Sequence, residues 1–125
     1  MAFSRVKDDS SESTWCIFSH DGKKAYPFVA EGSGGKELCS AMVQDGPNFA
    51  GLRATVDASP FFFHVLFVGD EVGMVKRNKA KMLKNAPFNA MEGANGEIEV
   101  PKGELSVEKL VELIIESTGG SDVSI

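Results

Sequence analysis

Phe61-Phe62-Phe63-His64-Val65-Leu66-Phe67-Val68 is the stretch on which the fold turns. Successive side chains of a strand point to opposite faces. Here Phe61, Phe63, Val65 and Phe67 line one face, and Phe62, Leu66 and Val68 line the other. A strand that is apolar on both sides belongs inside a sheet covered on both faces. The run is too short to span a bilayer, which takes roughly 20 apolar residues as a helix. His64 interrupts it with no acid or second histidine close by in sequence, so a hydrogen-bonded histidine near the core is expected rather than a ligand or a base.

Working outward, Gly69-Asp70-Glu71 leads into a helix from about Val72, which Pro87 should kink or end. The segment from Phe88 to Asn95 carries no clear period. Gly96 to Val100 reads as a last strand. Ser106 is a plausible N-cap for a helix with Val107, Leu110, Val111 and Ile114 on one side and Glu108, Lys109, Glu112 and Glu116 on the other. Residues 118–125 read as a flexible tail. On the other side of the central strand, Ala58-Ser59-Pro60 is a turn and Phe49 to Val56 a strand. Lys36 to Gln44 is a helix that buries Leu38, Ala41 and Met42, stopped by Asp45-Gly46-Pro47-Asn48. Glu31 to Gly35 is a connector. Thr14 to Phe18 and Ala25 to Ala30 are strands, joined by a turn at Asp21-Gly22, and Pro27 marks an edge or a bulge. Residues 1–9 form a short N-terminal segment with a helix. The expected fold is therefore α/β (α+β): one domain over residues 1–125, a mixed five-stranded sheet with helices on both faces.

Among 125 residues the net charge is −5, which argues against nucleic acid or an anionic membrane as partner of the chain as a whole. Between Lys76 and Lys84, however, stand five cations (Lys76, Arg77, Lys79, Lys81, Lys84) and no acid. Removing that +5 from the net −5 leaves −10 on the rest of the chain. Such a concentration suggests a docking surface for an acidic partner. The two cysteines, Cys16 and Cys39, sit among core-type residues and read as buried free thiols. With no signal-peptide pattern at the N-terminus, a cytoplasmic protein is expected, with no integral membrane segment.

No arrangement for catalysis, metal or cofactor is expected. Gly32-Ser33-Gly34-Gly35-Lys36 lacks the upstream glycine and the Ser or Thr of a phosphate-binding loop. Two histidines, His20 and His64, support no nucleophilic triad. The aromatics occupy core positions rather than a stacking platform. A binding module, not an enzyme, is the expectation.

On an ideal wheel with Lys76 at the origin, Arg77, Lys81 and Lys84 share a face between about 80° and 140°. Val72, Val75, Met82, Leu83 and Ala86 gather on the other side and should face the sheet. Lys79 falls among them.

Phe67-Val68-Gly69-Asp70-Glu71-Val72, followed by Lys76-Arg77-Asn78-Lys79, resembles the coactosin branch of the actin-depolymerising-factor homology (ADF-H) domains, in which an aromatic-Ile-Gly-Glu-Asn-Val segment leads into a helix with similarly spaced Arg and Lys. Asp8-Asp9, Trp15 to Phe18 and Asp21-Gly22 fit the same pattern. Lys79-Ala80-Lys81-Met82-Leu83 resembles the Lys-x-Lys-Met-aliphatic core of the cofilin-type actin-binding helix. The resemblance follows element order along nearly the whole chain. It implies a mixed five-stranded sheet flanked by helices, no cofactor, a monomer, a cytoskeletal location, and actin as partner, the filament side more than the monomer. The actin-binding residues it implies are Arg77, Lys79 and Lys84 from the coactosin pattern and Lys79, Lys81 and Met82 from the cofilin pattern, with Lys76 beside them. The chain departs from the family in its short N-terminal helix, in the short acidic loop Asp57-Ala58-Ser59-Pro60 where coactosins carry a basic run, and in Pro87. The alternative from another class is an adaptor whose basic helix binds a different acidic protein or phosphoinositide headgroups.

Overall fold

The computed structural model describes residues 2–125. Met1, the first residue of the expected N-terminal segment, lies outside them. The Phe61 run forms most of β4 (Ser59–Val68). β4 pairs antiparallel along its whole length with β3 (Pro47–Val56) and runs parallel to β5 (Gly96–Val100). β3 pairs on its other side with β1 (Trp15–Phe18), which pairs with β2 (Phe28–Gly32). The strand order is β2-β1-β3-β4-β5, so the sheet is mixed. A parallel neighbour needs a crossover, and α3 (Met74–Met82) with α4 (Asn85–Ala90) supplies it.

The alternation of β4 divides the core. Phe63, Val65 and Phe67 join Trp15, Ile17 and Leu52 beneath Leu38 of α2 (Gly35–Ala41) and Leu110 and Ile114 of α5 (Val107–Thr118). Leu66 and Val68 join Cys16 and Phe49 beneath Phe3 and Val6 of α1 (Ala2–Lys7), Ala80 of α3 and Phe88 of α4. The sheet is thus covered on both faces, as the sequence implies. Ser106 caps α5 by accepting a hydrogen bond from Lys109 N at 3.0 Å.

Four expectations need correction. The sheet has six strands, not five, because Val123–Ser124 forms β6 on the end of β3, pairing Thr55 with Ser124 and Val56 with Val123. Residues 118–125 are therefore no loose tail. Asp57 and Ala58 form the β3–β4 turn with φ of 49° and 69°. Held there, the Asp57 carboxylate accepts from Asp122 N at 2.8 Å and Ser121 N at 3.1 Å, while Asp57 N donates to Asp122 O. A two-residue strand has no readable period, which is why the pattern hid it.

The second correction concerns the first hairpin. Its return strand begins after Pro27 rather than at Ala25, and Glu31 and Gly32 belong to it. The Asp21 carboxylate accepts from Lys23 N and Ala25 N, folding residues 19–27 into a longer loop. The register shifts between Ile17 and Phe18, and β2 is the edge strand, consistent with Pro27.

Third, α2 ends at Ala41, short of Gln44. Asn48, the one polar residue buried as a whole among the described residues, takes over the backbone there. It accepts from Val43 N at 2.8 Å and donates to Val43 O and Phe67 O. Fourth, the helix expected from Val72 to Pro87 is two helices. Pro87 is buried in the first turn of α4, where its missing N–H leaves no bond unmade. Among the described residues no helix is long and apolar enough to cross a membrane.

Candidate functional site

The candidate site is α3 and the loop that launches it. Gly69 ends β4 in direct contact with the chain at Gln44: a Cβ on Gly69 would lie 2.2 Å from that carbonyl. The close approach lets Gly69 N donate to Gly46 O and Glu71 N donate to Gln44 O, both at 2.9 Å. Asp70 reaches the other way and accepts from Gly103 N at 2.8 Å. Residues 69–72 are thereby fixed before the helix starts.

Arg77 then ties the helix down. Its Nη1 donates to Val68 O at 2.9 Å, and its Nη2 donates to Gly69 O at 2.7 Å and Val72 O at 3.3 Å. A guanidinium presents its donors in a rigid planar fork, which suits a cluster of carbonyls at a strand end. Ala80 packs closely beside it and is the one buried residue of α3. Lys81 pairs with Glu99 at 2.9 Å, and Lys84 pairs with Glu97, both acids being on β5.

The wheel expectation is therefore reversed. The face holding Arg77, Ala80 and Lys81 turns toward the sheet. Val75 and Met82, expected to be buried, look out at 84% and 80% exposed, and Met74, given no face in the sequence reading, is 78% exposed. The physical reason is that a polar staple and one small alanine dock this helix, in place of a hydrophobic stripe. Lys79, which falls among the apolar residues on the wheel, is exposed together with Val75 and Met82. Lys76 and Lys79 are exposed and meet no carboxylate within ion-pair distance among the described residues. Leu83 and Val72 are half-buried against the core, as expected of them, whereas Ala86 is exposed.

Of the six large apolar side chains exposed among the described residues, three (Met74, Val75, Met82) lie on this one nine-residue helix. That clustering makes the ridge a surface and not scattered exposure. A groove of about 520 Å³, lined by Pro47, Val72, Met74 and Val75, runs along its N-terminal end. Sequence reasoning missed Met74 and Val75 as site residues, because the wheel assigned Val75 to the sheet side and gave Met74 no role.

The chain has the ADF-H fold and is similar to the coactosins. Coactosin of Dictyostelium discoideum is 25% identical over 126 residues, covering 94% of this chain and 86% of that protein. The solution structure of human coactosin-like protein superposes with a TM-score of 0.76 at 23% identity, over 97% of this chain and 86% of that one. Mouse coactosin, described as an actin filament binding protein, gives 0.70 at 22% identity, over 96% and 87%. No family model matches the chain.

The remaining reactive groups of the chain lie elsewhere. His64 is half-buried, its Nε2 2.6 Å from Met91 O and its ring stacked 4.6 Å from Phe88. This is the hydrogen-bonded near-core histidine expected. Cys16 is fully buried, and burial pushes its thiol up to about 12. Cys39, expected to be buried, is only half-buried, and desolvation raises its thiol. Among the described residues no three His, Cys, Asp or Glu side chains gather closely enough to hold a metal ion.

Proposed function

We propose that this domain binds actin, on the side of the filament, through the outward face of α3, and works by binding alone with no chemical step. The observation that carries the reading is the exposed ridge of Met74, Val75 and Met82 interleaved with Lys76 and Lys79 on the element that the coactosin resemblance assigns to actin. Apolar anchors in the centre of an interface supply most of its affinity, and flanking charge supplies on-rate and orientation. Lys76, Lys79 and Met82 are the contact residues, joined by Met74 and Val75. Arg77 positions the helix from behind. Lys81 and Lys84 occupy the flank.

Co-sedimentation with actin filaments tests this. Lys76→Glu with Lys79→Glu should weaken pelleting by about tenfold or more, and Val75→Asp with Met82→Asp by at least as much. Because apolar contacts dominate, tripling the salt concentration should weaken wild-type binding by less than about tenfold. A protein that stays in the supernatant at low salt, or variants that pellet like wild type, would overturn the assignment. A phosphoinositide site is the weaker reading. Three of the five cations are engaged within the chain, by backbone carbonyls or by β5, and an anionic headgroup gains nothing from Met74, Val75 and Met82.

A further inference from the structure

The inference rests on the actin-binding reading and concerns what tunes it. β5 sends Ile98 and Val100 into the core under α5, so its alternate residues, Glu97 and Glu99, emerge on the α3 side. Both find a lysine there, Glu99 on Lys81 at 2.9 Å and Glu97 on Lys84. All four side chains remain between 34% and 46% exposed. Ion pairs so open to water contribute little to stability, with measured values mostly about 0–1 kcal/mol. Their electrostatic effect on an approaching acidic surface is larger. They remove two of the five cations from the segment and set two carboxylates beside the docking ridge.

We propose that Glu97 and Glu99 act as an internal acidic competitor, holding Lys81 and Lys84 against β5 and thereby setting the strength and salt dependence with which the α3 surface meets an acidic partner. An acidic partner must displace these carboxylates to reach Lys81 and Lys84. Neutralising them therefore makes the surface stickier, a gain that misfolding does not produce.

The test is Glu97→Gln with Glu99→Gln, which removes charge while preserving shape. Filament affinity at low salt should rise about three- to tenfold, and the gain should vanish at high salt. Adding Lys81→Gln and Lys84→Gln to that background should abolish the gain. In the wild-type background the same two lysine changes leave Glu97 and Glu99 unpaired beside the ridge and should weaken low-salt pelleting about three- to tenfold, a loss that Glu97→Gln with Glu99→Gln restores. A control, Glu108→Gln with Glu116→Gln on the outer side of α5, removes equal charge and should do nothing. Retention on immobilised polyglutamate is measured in parallel. If wild type never pellets with actin but the Glu97/Glu99 variant gains polyglutamate retention that the lysine changes cancel, the competitor stands and the actin reading falls. If wild type pellets and the variant binds actin and polyglutamate no better than wild type or the control, the competitor idea is overturned while the actin reading survives. If the variant gains neither and wild type does not pellet, both are overturned.

Discussion

At Gly69 the chain passes so close to Gln44 that any side chain would collide with backbone, which has no rotamer by which to yield. Gly69→Ala should therefore destabilise the domain by about 2 kcal/mol or more, since overpacking against a rigid neighbour typically costs about 1–3 kcal/mol. Ala58 is the opposite case: an L-residue held at φ 69° where glycine is at ease, so Ala58→Gly should stabilise by about 1 kcal/mol. Urea titration followed through the single tryptophan, Trp15, reads both changes. The thiols give a third residue-scale prediction. Raised by burial and sealed in the core, Cys16 should resist alkylation in the native state, and Cys39 should react first. Mass spectrometry after a limited pulse of reagent tells them apart. Gly69 was legible in the sequence as the end of the strand, but its close approach to Gln44 was not, since the two residues lie far apart in the chain. Arg77 was not, since a wheel records which way a side chain leaves the helix and says nothing of carbonyls waiting at a strand end.

Among the elements, β4 was fully readable, because two opposed apolar faces admit one position in a layered fold. β6 was not, since its identity comes from Asp57, a residue 65 positions earlier, whose carboxylate gathers the amides of Ser121 and Asp122. Those backbone donors hold the Asp57 carboxyl below the usual carboxylate range. A depressed folded-state pKa means the clamp contributes fully above the ordinary Asp range and is lost as pH falls through the lowered value. Amide exchange over residues 120–125 should accordingly rise in acid ahead of exchange in β4. Asp57→Ala should produce the same local opening at neutral pH. Equal protection of β6 in that variant would show that pairing with Thr55 and Val56 suffices alone. The division of the expected long helix was half legible: Pro87 announced a break, while the exit of α3 at Met82 follows from the need to bring β5 alongside β4.

For the whole molecule, layer order, mixed sheet and covered faces followed from periodicity. The orientation of one helix did not, and that orientation keeps Lys76, Lys79 and Met82 of the expected residues on the candidate surface, adds Met74 and Val75, and takes Arg77, Lys81 and Lys84 off it. The Arg77 staple has a further consequence. An amphipathic helix normally answers for its fold with the same side chains that make it greasy, so changing its surface risks its anchorage. Here anchorage belongs to one guanidinium, one alanine and a glycine turn on the inner side. The outer residues are thus at liberty to vary. Selection, or a designer, can rewrite which partner this helix prefers with little thermodynamic penalty to the scaffold that carries it.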